Sequence, residues 1–230
     1  MHPLLKKILI KTRNVVIGLM LLSIFLILIM RWIDPIGSML MVERKIVNWG
    51  ITQQREWKDW DAISDNIKIA VIASEDQNFA THWGFDFDAI NRALKHNQNA
   101  KKIRGASTIT QQVAKNIFLW PSRSWLRKAI ESWFTIWIEL IWSKQRTLEI
   151  YLNSVEWGEG IFGIEAASRY YFNVSANQLT PYQASLLAAT LPNPRKWSPA
   201  TPTNYVQKKA EWIRAQMANL GGKNYLKQME

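Results

Sequence analysis

Acidic and basic side chains are concentrated in the segment EDQNFATHWGFD, which runs from Glu75 to Asp86 and follows an apolar stretch with helical spacing. Acids at the carboxyl end of a helix oppose its macrodipole, so Glu75 and Asp76 stand there at a cost in stability. That cost suggests a use in chemistry, and a positioned carboxylate can act as a general base. The alternative is that the acids are solvated and that His82 only holds the loop through hydrogen bonds.

A second segment, GASTITQQVAKN from Gly105 to Asn116, is typical of a helix start that binds an anion. A glycine permits close approach of the backbone, and hydroxyls and free N–H groups follow at the positive end of the dipole. An ordinary capped helix is the alternative, because Thr108 and Gln111 have the spacing of a capping box. The polar face that we expect to be free for a ligand carries Thr108, Gln111, Gln112 and Lys115.

A third segment, RSWLRKAIE from Arg123 to Glu131, carries charges within an otherwise aromatic and aliphatic stretch. Arg127 and Glu131 are one helical turn apart, so an ion pair that makes burial tolerable is the simplest interpretation. Burial of all four charged residues would be costly without a purpose, and they are Arg123, Arg127, Lys128 and Glu131.

Other chemistries are excluded by what the sequence lacks. The segment GEGIFG, residues 158–163, matches a dinucleotide-binding pattern, but no Asp or Glu follows between Glu165 and Glu211 to bind a ribose. No phosphate-binding P-loop and no S-x-x-K of an acylating serine occur. With no cysteine and only three histidines, a dedicated zinc site is not expected either.

The chain has 230 residues and a formal charge of +11, from 29 Lys and Arg against 18 Asp and Glu. This length allows one catalytic domain with an appendage. The excess of positive charge favours anionic partners, which include nucleic acid, lipid headgroups and phosphate-bearing substrates.

The N-terminal region predicts a membrane anchor. Residues 1–13 form a basic tail, and residues 14–33 form an apolar stretch close to the roughly 20 residues that span hydrocarbon. The positive-inside rule then places the N-terminus in the cytoplasm and the rest of the protein outside. A cleaved signal peptide is the alternative, but no small-x-small cleavage site follows.

We predict a connector over residues 34–60 and a mainly α-helical catalytic domain over residues 61–230, because apolar residues recur at helical spacing. Ser64 or Asp65, Asp86, Thr108 and Ser124 are expected to cap helices. The helix from Ser124 to about Trp142 is apolar on almost every side, so it lies either in the core or against a membrane.

In this order the segments resemble the peptidoglycan glycosyltransferases, the polymerase module also found in bifunctional penicillin-binding proteins. The resemblance runs from about residue 63 to residue 199 and includes two further blocks, L-E-x-Y-L-N at residues 148–153 and an Ala/Leu-rich helix that ends at Leu191 and Pro192. Because S-x-x-K is absent and the chain ends soon afterwards, it looks like a monofunctional biosynthetic transglycosylase. The resemblance implies a lysozyme-like helical domain with a hydrophobic subdomain at the membrane.

The resemblance also implies roles for individual residues. Glu75 would deprotonate the 4-hydroxyl of the acceptor lipid II, and Glu131 would be a second essential carboxylate. Lys115, Arg123 and Arg127 would serve the pyrophosphate of the donor. The remaining substrate contacts would come from Asp76, Phe79, His82, Gly105, Ser107, Thr108, Gln111, Gln112, Asn116 and Lys128.

Several points stay open after this comparison. Glu131 can orient the cations, act as an acid or bind a divalent ion. No cofactor is required by the sequence, and Mg²⁺ or Mn²⁺ fits only the last of these roles. Gln183 and Ile130 depart from the residues that are common in relatives, Glu and a basic residue, which suggests altered local contacts.

The expected location is the cytoplasmic (inner) membrane, with the catalytic domain on the periplasmic side. Expected partners are lipid II, the growing lipid-linked glycan and membrane lipids, with cell-wall synthesis proteins as further candidates and no nucleic acid. One alternative is a lysozyme-like lytic transglycosylase or hydrolase, which would need no pyrophosphate grip. Another is a tethered binding protein for anionic polymers, which would not explain Glu75 and Glu131.

Overall fold

A computed structural model describes residues 3–47, 50–99, 105–122 and 124–229. The first helix, α1 (Pro3–Met30), contains the stretch Leu4–Met30, which is long and apolar enough to cross a membrane. Only 11% of its most apolar window is buried against the protein, so α1 is not a core helix. This agrees with a membrane anchor.

The carboxyl-terminal end of α1 packs against α6 (Trp125–Ile141). The indole N–H of Trp142 donates to the carbonyl oxygen of Ile27 at 2.7 Å, and that of Trp133 donates to Ser23 Oγ at 3.1 Å. The tryptophans of α6 therefore cover the anchor as well as the core. The helix also exposes Trp125, Leu126, Ile136 and Leu140.

The segment after the anchor packs on the helical body. It contains α2 (Met39–Val47), β1 (Gln54–Arg55) and a short 3-10 turn (Trp60–Ala62). Arg55 donates to the carbonyl oxygens of Pro35 at 2.7 Å and Ile36 at 2.6 Å, and to that of Asn153 at 3.2 Å. Arg55 thus joins the two ends of the connector to each other and to Asn153 of the helical body.

The centre of the core is α3 (Asp65–Glu75), which Ser64 caps by accepting the N–H of Asn66 at 3.2 Å. All residues from 67 to 73 are buried, because α3 lies against α9 (Pro181–Thr190), α10 (Asn204–Asn219) and α11 (Lys223–Leu226). Such burial on every face holds the carboxyl end of α3 in a fixed position. A final 3-10 turn spans Lys227–Met229.

A second group of helices lies beside this core. It consists of α4 (Phe87–Asn99), α5 (Ile109–Phe118), α6 and α7 (Lys144–Ser154). Helix α5 contacts both α6 and α7. Side-chain caps begin these helices at Asp86, Thr108, Ser124 and Ser143.

A small sheet closes the domain, with strand order β1-β3-β2. Strand β2 (Glu156–Gly158) pairs antiparallel with β3 (Ile161–Phe162), and β1 pairs parallel with β3. Gly163 then begins α8 (Ile164–Phe172) at φ +78°, where a Cβ atom would lie 3.0 Å from the carbonyl oxygen of Asn153. The glycines of GEGIFG thus serve the β2–β3 hairpin and the close approach of Gly163 to Asn153. These structural roles account for the glycines without a dinucleotide.

The mainly α-helical fold predicted from the sequence is confirmed, and the helix expected from Ser124 to about Trp142 is α6. Helix α4 runs to Asn99 and so includes the start of the basic stretch that follows Leu94. The four expected caps are confirmed as well. Gln183 forms a capping box with Thr180 at the start of α9, so its amide serves the function that an acid would serve there. Ile130 is half-buried on α6.

Candidate active site

Glu75 is the last residue of α3 and is half-buried. Its Oε1 accepts a hydrogen bond from Ser74 Oγ at 3.1 Å, and its Oε2 accepts one from Gln112 Nε2 at 3.0 Å. The hydroxyl of the buried Tyr151 donates to Gln112 Oε1 at 3.2 Å, which fixes the orientation of the amide. The carboxylate is thus aligned while part of it stays accessible.

The charge of Glu75 is felt by Tyr151 behind it. Burial, together with the negative charges of Glu75 and Asp76, raises the pKa of the Tyr151 hydroxyl well above its ordinary value. The phenol therefore stays protonated and remains a hydrogen-bond donor to Gln112. Sequence reasoning included the block of residues 148–153 but missed this role, which depends on packing between α5 and α7.

Asp76 connects the loop to α5. Its Oδ2 accepts the N–H of Ile109 at 3.0 Å, and His82 Nε2 lies 2.8 Å from Oδ1. The carboxylate therefore lies at the positive end of the α5 dipole, which offsets the cost of its place at the end of α3. Phe79 is fully buried and contacts the His82 ring, so these side chains support the loop from the inside.

The start of α5 is an ordinary capped helix. Thr108 Oγ1 accepts the N–H of Gln111 at 3.2 Å, and Gln111 Oε1 accepts the N–H of Thr108 at 3.1 Å. Both side chains are buried, and Asp76 occupies the N–H of Ile109. The ordinary capped helix, which the sequence left open as the alternative, is therefore the observed arrangement. The carboxylate of Asp76 occupies the N–H of Ile109, so this group is not free for an anionic ligand.

The accessible part of the polar α5 face therefore consists of Gln112 and Lys115. Gly105 and Ser107 are exposed in the loop that precedes the helix. Asn116 is buried, with an exposed fraction of 6%, and lines the same cleft as Lys115.

Lys115 links the two carboxylate groups electrostatically. Its side chain reaches into a cleft whose walls desolvate the ammonium group and lower its pKa, although the residue as a whole is exposed. Glu131 and Glu75 oppose this lowering, while Arg127 and Lys128 add to it. Lys115 is therefore within electrostatic reach of both carboxylates and of the two cations that bind Glu131.

Glu131 lies on α6 with an exposed fraction of 3%. Arg127 Nη1 contacts its Oε2 and Lys128 Nζ contacts its Oε1, each at 2.5 Å. The Nε of Arg127 also donates to the carbonyl oxygen of Ser122 at 2.5 Å. Both carboxylate oxygens are thus occupied by cations. Arg123, which the sequence analysis assigned to the same group, lies outside the described residues.

A cleft of about 670 Å³ is lined by Lys115 and by Gln112 and Arg127, the side chains that bind Glu75 and Glu131. The two carboxylates themselves are not among its lining residues. From α5 and the start of α6 it is lined by Gln112, Lys115, Asn116 and Arg127, and the loop between these helices adds residues 119–122. The remaining lining comes from α2, β2 and the loop after α9, including Leu40, Glu43, Arg44, Val155, Glu156, Leu191 and Pro194. Sequence analysis did not identify the α2 and β2 residues, since no local pattern shows that the connector folds back onto the cleft.

The described residues contain no group of three or more His, Cys, Asp or Glu side chains that could hold a metal ion. Glu131 in particular presents both oxygens to cationic side chains. A divalent ion bound by Glu131 would have to displace Arg127 and Lys128.

The sequence was compared with known families and proteins. The family model described as Transglycosylase matches residues 43–218. The chain is 59% identical to a biosynthetic peptidoglycan transglycosylase of Pseudomonas fluorescens, over 90% of this chain and 88% of the relative. It is 57% identical to proteins of the same name from Pseudomonas putida, over 90% of each chain, and from Ectopseudomonas mendocina, over 92% of this chain and 89% of the relative.

Proposed function

Because the chain belongs to the transglycosylase family and is a peptidoglycan glycosyltransferase, we propose that it polymerises lipid II into β-1,4-linked glycan strands and releases polyprenyl diphosphate. One observation carries this proposal: Lys115 lies in the cleft within electrostatic reach of both Glu75 and Glu131. A base and a diphosphate grip can therefore act on the same substrate pair. A single displacement inverts the α-linkage of the donor.

Glu75 is the proposed general base on the 4-hydroxyl of the acceptor. The hydrogen bond from Gln112 Nε2 orients the carboxylate toward its substrate. Proton removal as the new bond forms contributes roughly 10²- to 10⁴-fold to the rate. Gln112 also lines the cleft that contains the proposed donor site, so its side chain lies between this site and Glu75.

Lys115, Arg123 and Arg127 are the proposed cations for the leaving diphosphate. This group is a stable anion, so it needs charge stabilisation more than a proton. The ion pairs support an orienting role for Glu131, which holds Arg127 and Lys128 from below the cleft surface.

The other residues from the sequence analysis divide into two proposed roles. Asp76, Phe79, His82, Thr108 and Gln111 hold the loop and α5, and they act on the substrate through Glu75 and Gln112. Direct contacts with the substrate are proposed for the residues that are more accessible or that line the cleft. These are Gly105, Ser107, Gln112, Lys115, Asn116 and Lys128.

We further propose that α1 anchors the enzyme in the inner membrane with its N-terminus in the cytoplasm and the catalytic domain in the periplasm. The basic residues before the apolar stretch support this orientation. The contacts of α6 with the anchor keep the apolar side chains of α6 near the bilayer, where the lipid tail of the substrate lies. Membrane lipids, the growing glycan and other cell-wall synthesis proteins are the proposed partners.

The test uses the purified full-length enzyme with lipid II in detergent or vesicles. We expect long glycan strands, measured by gel electrophoresis of labelled product. A wild-type enzyme that leaves lipid II unchanged but releases short sugars from finished sacculi would contradict the proposal and favour the lytic alternative.

A further inference from the structure

The α2 side of the cleft carries a buried ion pair that the proposed reaction does not use. The Nε of Arg44, on α2, donates to Oε2 of Glu156, the first residue of β2, at 2.8 Å. Both residues line the same cleft as Lys115 and Arg127. Glu156 has an exposed fraction of only 3%, whereas 24% of the Arg44 side chain is exposed. The pair thus forms part of the cleft wall at the junction of connector and catalytic body.

This pair has unused hydrogen-bonding capacity. The Oε1 atom of Glu156 is buried and accepts no hydrogen bond from any described residue. Such an oxygen is costly, because it has lost solvent without gaining a donor. Arg44 uses Nε for Glu156 and makes a long contact of 3.4 Å from Nη1 to Glu43, so within the described part of the chain its guanidinium keeps further donors. A free acceptor and free donors therefore lie side by side.

The charges around the pair restrict what can bind there. Glu43 and Glu156 are balanced by Arg44 and by Arg195, which is within electrostatic reach of both acids. The fitting ligand is therefore neutral and presents a donor next to an acceptor. A residue in an extended peptide does this, since its N–H and C=O point to the same side. The neighbouring lining is aliphatic, from Leu40, Val155, Leu191 and Pro194, and it suits small apolar side chains.

We propose that Arg44 and Glu156 bind the backbone of the short peptide that peptidoglycan sugars carry, on the α2 side of the cleft. This inference rests on the proposed function, because it concerns the same substrate. The C=O of one peptide residue accepts from Arg44, and its N–H donates to Oε1 of Glu156. Since Oε1 is shielded from solvent, the partly exposed Arg44 side chain must shift to admit the peptide while Nε keeps its partner.

The test compares two substrates with the full-length enzyme. KM and kcat are measured for lipid II and for the same lipid-linked disaccharide without its peptide. With lipid II, Glu156→Ala and Arg44→Ala are expected to raise KM by roughly 10- to 100-fold, the range for a hydrogen bond to a charged group, and to leave kcat unchanged. With the peptide-free substrate, the variants and the wild type are expected to have the same KM.

Controls separate this effect from a change in folding. Glu156→Gln keeps the shape of the side chain but offers only a neutral acceptor. It replaces Glu156→Ala if that variant is unstable by circular dichroism, and it should raise KM for lipid II by a smaller factor. Glu159→Ala, on the same hairpin, removes an exposed ion pair with Arg195 outside the cleft lining and should leave both KM values unchanged.

An equal rise in KM on both substrates, a loss of kcat alone or no change would overturn the peptide assignment. Such results leave polymerisation by the wild type intact, so they differ from a failure of the proposed function, in which the wild type makes no glycan from either substrate.

Discussion

The substitution Glu131→Gln tests whether this buried carboxylate acts through Arg127. Glu131 makes two charge-assisted contacts at 2.5 Å, and each such bond contributes about 1.5–3 kcal/mol. Lys128 is 40% exposed and can turn to solvent, so its contact is screened and contributes little. Arg127 is 14% exposed and remains bound to Ser122, so it is left near a neutral amide.

We therefore expect a loss of about 2–3 kcal/mol in the free energy of unfolding, mostly from Arg127. Loss of the contact between Glu131 and Arg127 should also lower kcat/KM for lipid II by about 100-fold, since each 1.4 kcal/mol corresponds to a factor of ten. The assays are denaturant unfolding followed by circular dichroism and initial rates of glycan formation. Glu165→Gln is the matched control, because Glu165 is fully buried and paired with Arg169 on α8, outside the cleft lining.

A double-mutant cycle decides between the roles of Glu131. If Glu131 acts by orienting Arg127, the losses in rate from Glu131→Gln and Arg127→Met will not add, because either change removes the same contact. Rate losses that add fully would refute this reasoning and would favour an independent role for Glu131, such as proton donation.

Three further predictions follow from the structure. Because burial lowers the pKa of Lys115, the ammonium group loses its charge at a lower pH than an ordinary lysine does, and polymerisation should decline as the pH rises through that range. Lys115→Arg keeps the positive charge to higher pH, so it should move the decline to higher pH in a pH–rate profile. Tyr151→Phe removes the donor that orients Gln112, so kcat should fall by roughly 2- to 10-fold, in line with about 0.5–1.5 kcal/mol for one neutral hydrogen bond, and an unchanged kcat would contradict this role. Arg146→Met removes hydrogen bonds to the carbonyl oxygens of Met30 and Ile33, so protease should cut between residues 31 and 38 faster than in the wild type, and equal cutting rates would show that Arg146 does not hold the anchor.

The helices could be predicted because their signals are local. Ser64, Asp86, Thr108 and Ser124 each precede an apolar stripe, and each begins a helix in the structure. Such caps act within three residues of the chain, so no knowledge of the tertiary fold is needed.

The rest of the site depends on contacts between distant segments. Asp76 occupies the start of α5, 33 residues away, and this contact explains why the helix start is not free for a second anion. Arg44 and Glu156 are 112 residues apart, and only the packing of α2 on the body brings them together. The connector showed no chemical pattern of its own, which is why its part in the cleft could not be predicted.

The most direct test of the central claim is the rate of glycan synthesis by Glu75→Gln in the full-length enzyme. The substitution keeps the size of the side chain and removes the base, so polymerisation should fall by roughly 10²- to 10⁴-fold with an unchanged circular dichroism spectrum. A folded Glu75→Gln enzyme that still polymerises lipid II at the wild-type rate would contradict the assignment of Glu75 as the general base.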